Sequence, residues 1–407
     1  MGVGRLDDPY AATLRALEAC TEWPPPGVEG ARVIVKPNLV VAATAETGAV
    51  TDPQVVRAVV DRALAAGARE VWVAEGALGG GHFDACGYGF FRSYDPLGRV
   101  ALVNLDELPE TLVDAWGGLT YRQIYLPAVL MESDTVLISV AKMKTHVETL
   151  VTLSMKNLFG LPPLQRYRAT DVNARFAMHF RGVNEAIADQ WLARPADFAV
   201  IDGIWGMEGR GPLGGRRVKM DTVIAGRNGL AVDWIGTEAM GVPIYRVQHL
   251  MYAIGMGFGP TARSQIDVLG DPLSPRAFDL PQIPPVIDRP QADPPVIVPA
   301  RGETMEIRFW LNRPCAARVE IVSANDYEPE MTPVRLLQDW TAVDLGWHTL
   351  TWDGMDDSGA RLPVGEYFVH VEATGGEESA NHAHATTRVS IAPILLVQRA
   401  WLPLVRH

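Results

Sequence analysis

The sequence predicts an α/β domain with a mostly parallel sheet and flanking helices, followed by an all-β antiparallel sandwich. Three observations carry this. Short apolar, β-branched runs alternate with helical patterns over the first 280 residues, seven prolines crowd the stretch from Pro281 to Pro299, and beyond it the apolar period changes to two. A chain of 407 residues is also longer than one ordinary core accommodates, so two domains are expected.

In chain order, Arg32–Lys36 reads as a buried strand. Thr51 is placed to cap a helix on which Val55, Val56, Val59, Val60, Ala63 and Leu64 recur at helical spacing, and Gly67 is placed to end it. Val71–Ala74 returns as a strand, and Val100–Val103, Thr135–Val140, Phe198–Ile201 and Thr222–Ala225 have the same length and character. Runs apolar on both faces are the mark of strands covered by helices on two sides.

The expected boundaries are an α/β domain over 1–280, a proline-rich extended linker over 281–299, a sandwich over 300–392 and a tail over 393–407. In the sandwich Met305, Ile307, Phe309 and Leu311 alternate with polar neighbours, as do Val319 with Ile321 and Tyr367 with Val369 and Val371. Asp353, Asp356 and Asp357 read as turn residues, and His382 and His384 as a solvated loop.

Composition narrows the function. A net charge of −12 argues against nucleic-acid binding, which needs a basic face. The three cysteines, Cys20, Cys86 and Cys315, have no metal-ligand spacing, so neither a disulfide framework nor a cysteine-ligated iron–sulfur cluster is expected. No signal peptide is readable at the N-terminus, and the run 391–397 is far shorter than the ~20 residues a membrane-spanning helix needs. A cytoplasmic location and no membrane span are the expectations.

In open parallel sheets, ligands bind outside the carboxyl ends of the strands. Here those ends run into Lys36-Pro37-Asn38, Glu75-Gly76, Lys142 with Lys144 and His146, and Asp202-Gly203. The chain uses 31 arginines but only five lysines, and Lys36, Lys142, Lys144 and Lys156 all fall in or beside these segments. A compact ammonium suits contact with a phosphate or carboxylate and shifts its pKa readily when buried.

A helix over His146–Phe159 would place His146 in its first turn and align it with Asn157, making His146 a candidate proton carrier. Gly209, Gly211 and Gly214 spell GxGxxG, but Pro212 and the strand that follows exclude a dinucleotide fingerprint. Gly209 and Gly211 could still offer backbone N–H groups to an anion. Asp202, Glu208 and Asp233 are candidate ligands for a divalent metal.

Lys36-Pro-Asn38, Lys142-Met-Lys-Thr-His146, Ser154-Met-Lys-Asn-Leu-Phe-Gly160, the stretch from Asp202 to Pro212 and Ala231-Val-Asp233 together resemble the prokaryotic domain of unknown function numbered 362. By that likeness Lys36, Asn38, Lys142, Lys144, His146, Lys156, Asn157, Asp202, Glu208 and Asp233 carry over as site candidates. Many members carry a cysteine-rich ferredoxin-like segment that this chain lacks. Gly346-Trp-His-Thr-Leu-Thr-Trp-Asp-Gly354 and Pro363-Val-Gly-Glu-Tyr-Phe368 resemble the Ig-like domain of flagellar hook-capping proteins, which implies an exported or cell-surface setting and association with other proteins.

The expectation is an enzyme, or an enzyme-derived domain, that takes a small phosphorylated or carboxylated molecule at the strand ends. Lys144 and His146 are its candidate catalytic groups. Lys36, Asn38, Lys142, Lys156, Asn157, Gly209 and Gly211 are the ligand-binding candidates, and Asp202, Glu208 and Asp233 those for a metal. A non-catalytic ligand- or cofactor-binding surface protein with an attachment module is the alternative.

Overall fold

The computed structural model describes residues 1–76, 82–168, 175–323, 331–375 and 382–393. The expected tail lies outside them except for Pro393. Two compact units are present: Met1–Arg175 with Asn184–Ile283, and Phe176–Val183 with the chain from Pro284 on.

The strands of the first unit, in chain order, are β1 Gly2–Arg5, β2 Arg32–Lys36, β3 Glu70–Glu75, β4 Val100–Asn104, β5 Glu110–Asp114, β6 Gln123–Pro127, β7 Thr135–His146, β8 Leu150–Thr152, β9 Phe198–Glu208, β10 Arg216–Gly226 and β11 Leu269–Gly270. Nine of them form one sheet in the order β11-β1-β10-β9-β7-β2-β3-β4, with β8 folded back on β7. The run from β9 through β7, β2 and β3 to β4 is parallel throughout, and β10 enters antiparallel between β9 and β1. β5 and β6 pair separately.

The helix Pro53–Ala65 shows how the core forms. Its Val55, Val56, Val59, Val60 and Ala63 pack with Val33, Val35, Val71 and Val73 of β2 and β3. Each such burial contributes roughly 1.5–3 kcal/mol. The cap is Asp52, whose side chain accepts from the Gln54 N–H, with Pro53 in the first turn. Thr51, expected as the cap, instead accepts from Asn38 N and donates to Val140 O, each at 2.9 Å. It therefore ties the loop after β2 to β7.

The second unit contains β12 Ile287–Asp293, β13 Val296–Ile297, β14 Met305–Leu311, β15 Cys315–Ser323, β16 Thr332–Val343, β17 Gly346–Trp352, β18 Gly365–Thr374 and β19 His382–Ile391. They form sheets in the orders β12-β14-β17 and β13-β19-β18-β15-β16. Met305, Ile307, Phe309, Leu311, Val319, Ile321, Tyr367, Val369 and Val371 fill the core between them.

Two expectations fail here. The proline-rich stretch is not simply an extended linker, because β12 pairs along β14 within it. Pro290 is tolerated since β12 is an edge strand whose register shifts between Asp288 and Gln291. His382 and His384 do not form a solvated loop either. They lie in β19, where His384 is stacked on His370 and meets the edge of Phe180. Phe180 belongs to the short helix Phe176–Phe180, and Thr386 Oγ1 donates to Arg181 O just beyond it. Asp356 behaves as turn chemistry requires, its Oδ1 accepting from the N–H groups of Ser358 and Ala360.

Candidate functional site

β2, β3, β7 and β9 are neighbours, so the groups at their carboxyl ends meet. Lys36 Nζ lies 2.6 Å from Glu75 Oε1, both side chains almost wholly closed off from water. Glu75 also accepts from Leu39 N and Gly76 N, which fixes it as the acceptor of three donors. Gly160 makes this fit possible: a Cβ there would stand 2.8 Å from Glu75 Oε1 and 2.9 Å from Lys36 Nζ. Burial pushes Lys36 below its ordinary value, against the pull of Glu75.

Lys142 Nζ lies 2.8 Å from Asp202 Oδ2. Asp202 takes the N–H of Asp52 on the same oxygen and that of Ile204 on the other. Asp52 is pushed up to about 6 by burial and by the Asp202 charge.

Lys144, two residues on along β7, has no carboxylate partner among the described residues. It donates to Asn38 Oδ1 at 2.8 Å and Ala49 O at 2.6 Å. Burial, then the charges of Lys156 and Lys142, hold it well below the usual lysine range. Asn38 Nδ2 in turn donates to Asn157 Oδ1, and Asn157 Nδ2 to Lys36 O and Ser139 Oγ. The two amides thus position the lysines rather than standing open to a ligand.

The expected helix over His146–Phe159 is a β-hairpin followed by one short helix. β7 continues to His146, β8 pairs back with Lys144↔Thr152 in register, and only Ser154–Asn157 is α-helical. His146 Nδ1 accepts from the N–H groups of Glu148 and Thr149, so the lone pair a general base would use is already engaged and Nε2 carries the proton. Asp233 anchors the short helix, accepting from Ser154 N, Ser154 Oγ and Met155 N at 2.5–2.9 Å. Burial pushes Asp233 up to about 7 against those three bonds.

Lys156 projects from this helix. It is 8% exposed, its Nζ lies 5.0 Å from the centre of the Phe159 ring, and among the described residues it has neither hydrogen bond nor ion pair. Burial holds it at about 8.

The three acids expected to share a metal do not meet. Asp202 is bound to Lys142, Asp233 to the Ser154 turn, and Glu208 to Arg216 and the Asp279 N–H. Among the described residues, no group of three or more His, Cys, Asp or Glu side chains is arranged to hold a metal ion. The glycine nest also dissolves. Gly209 N donates to Asp279 O and Gly211 N to Gly209 O, while a Cβ on Gly211 would stand 2.0 Å from Thr145 O. These glycines let the loop pack on β7.

Several residues of the network were not among the sequence candidates: Glu75, Thr51, Asp52, Ser139, Gly160, and Arg175, whose Nη2 bonds Gly76 O and Asp106 Oδ1. Glu75 had a signal, standing at a strand end beside Gly76. The others were silent as members of the network, because nothing local distinguishes a serine or glycine that meets partners far along the chain.

Fold and site together define a class: an α/β domain with buried lysines at adjoining strand ends, joined to a β-sandwich. The family model described as "Domain of unknown function (DUF362)" matches residues 33–238, just over half of the chain, and the chain belongs to that family. The model described as "FlgD Ig-like domain" matches residues 337–377. The thylakoid-associated protein sll1697 of Synechocystis sp. is 27% identical over 240 residues, 57% of this chain and 70% of that protein. Among solved structures, FLGD from P. aeruginosa aligns with a TM-score of 0.19 and 18% identity over 23% of this chain and 67% of that one. No helix among the described residues is long and apolar enough to cross a membrane.

Proposed function

We propose that the α/β unit is an enzyme, or derives from one, and binds a small phosphorylated or carboxylated molecule at the carboxyl ends of β2, β3, β7 and β9. One observation carries this. Four lysines are buried around one network, and only two of them, Lys36 and Lys142, have a carboxylate partner. Lys144 and Lys156 form no ion pair among the described residues. A buried charge without a counter-ion costs several kcal/mol, which a fold tolerates where a ligand supplies the missing charge.

In this reading Lys144 meets the anion, with Lys36 and Lys142 adding to the positive field. Asn38 holds the Lys144 ammonium in place, Asn157 steadies Asn38, and His146 donates from Nε2. Native mass spectrometry of the purified chain, with and without chelator, tests it. Retention of one small anion that survives chelation and is lost in Lys142→Ala supports the reading; no retained mass, and no anion taken up on addition, opposes it.

A second reading is favoured by the exposed Trp340 and Trp347 on the sandwich. There the sandwich is an attachment module of a surface protein, and the pocket stores its ligand without chemistry.

A further inference from the structure

We propose that Lys156 is the amine nucleophile of this site and that the anion it takes carries a carbonyl group, an oxo acid or an aldehyde phosphate, which it holds as a Schiff base. The inference rests on the anion-binding reading above and narrows its substrate class.

Lys36 and Lys142 are committed as ammonium groups, each in a buried ion pair, and Lys144 spends its protons on Asn38 Oδ1 and Ala49 O. Lys219, the remaining lysine, stands at the surface beside Asp7 and Asp221. Among the described residues Lys156 alone is buried with neither hydrogen bond nor ion pair, and its chain neighbour Asn157 is tied to Lys36 O.

It is also held still. Asp233 pins the first residues of its helix, and Asn157, the next residue along, is tied to Lys36 O and Ser139 Oγ. The Phe159 ring flanks the nitrogen, and the buried His249 nearby stays neutral, pushed down to about 3 by burial and by Lys156. Burial disfavours the ammonium form and outweighs the opposing pull of Glu148. At about 8, roughly a tenth of Lys156 is free amine at neutral pH, against less than a thousandth for an ordinary lysine.

The chemistry balances without a further reactant. The amine lone pair attacks the carbonyl carbon, a C–N bond forms, and the C–O bond of the carbinolamine breaks with the oxygen leaving as water. The anionic end of the molecule meets Lys144, on which Lys156 is the charge of largest effect.

The test uses the full chain with glyoxylate, a small anionic aldehyde, and cyanoborohydride, followed by peptide mapping of carboxymethyl-lysine. The expected result is labelling of Lys156 at least about 100-fold faster than Lys219, slowed by oxalate, with neutral acetaldehyde showing no such preference. Lys156→Arg should lose the label while oxalate still binds. Labelling that is equal on Lys156 and Lys219, or that falls on Lys144 instead, overturns the inference. If oxalate binds by calorimetry and Lys156 stays unlabelled, the nucleophile is wrong and the anion reading stands; if neither occurs, both are wrong.

Discussion

Lys142 Nζ and Asp202 Oδ2 lie 2.8 Å apart with both side chains fully buried, one delivered by β7 and the other by its parallel neighbour β9. Removing one partner leaves the other charged in a site closed to water. Asp202→Asn should therefore cost about 3–5 kcal/mol in urea unfolding, whereas Lys142→Met with Asp202→Leu should cost much less. A single substitution within about 1 kcal/mol of the parent would show that water reaches the pair.

Lys156 gives the opposite prediction. Its folded pKa, about 8, lies below the unfolded value of about 10.5, so between those pH values the unfolded chain binds more protons and stability rises with pH. Lys156→Met removes that penalty together with the smaller opposing pull of Glu148. The variant should be more stable at neutral pH by up to about 3 kcal/mol, and the gain should vanish toward pH 10.5. Chemical denaturation of both proteins across that range checks it; a less stable variant contradicts it.

The glycines rank by what a methyl group would strike. Gly211→Ala drives a Cβ to 2.0 Å from the backbone oxygen of Thr145, while at Gly160 the clash is with the tips of Glu75 and Lys36. Gly211→Ala should cost roughly 3 kcal/mol or more, and Gly160→Ala less, because side chains yield where backbone does not. Thermal melts of the two variants decide the order.

In the sandwich, His384 is held well below its usual value by burial, then by His370, His382 and His179. The depressed imidazole leaves the folded state reluctant to take a proton, so stability is present above the unfolded value of about 6.5 and is lost as pH falls below it. Glu320 and Glu372, which face His370 and His382, temper the loss. Hydrogen exchange along β18 and β19 should quicken, relative to intrinsic rates, on acidification through that range, and less so in His384→Asn.

The fold was more legible than the site. Arg32–Lys36 could be read to both ends because a run apolar on two faces has few alternatives in a helix-covered sheet. Thr135–Val140 was legible only in part: β7 runs on to His146, since Lys142 finds a counter-charge on β9 and Lys144 carbonyl oxygens at Asn38 and Ala49, none of it visible locally. The helical spacing from His146 to Asn157 misled for the same reason. Pairing of β8 with β7 and the anchoring of Ser154 by Asp233 override the period there.

The candidate residues divide along the same line. The scarcity of lysine marked Lys36, Lys142, Lys144 and Lys156, which the fold does gather. Asp202, Glu208 and Asp233 were grouped by charge alone, and each serves a different partner.

The proposed function requires this gathering to leave positive charge for a ligand to neutralise. Calorimetric titration of phosphate and of oxalate into the parent chain and into Lys144→Met tests it most directly. Saturable one-site binding of at least one of them to the parent is expected, weakened about tenfold or more in the variant. Failure of both anions to bind the parent, or equal affinity in the two proteins, would overturn it.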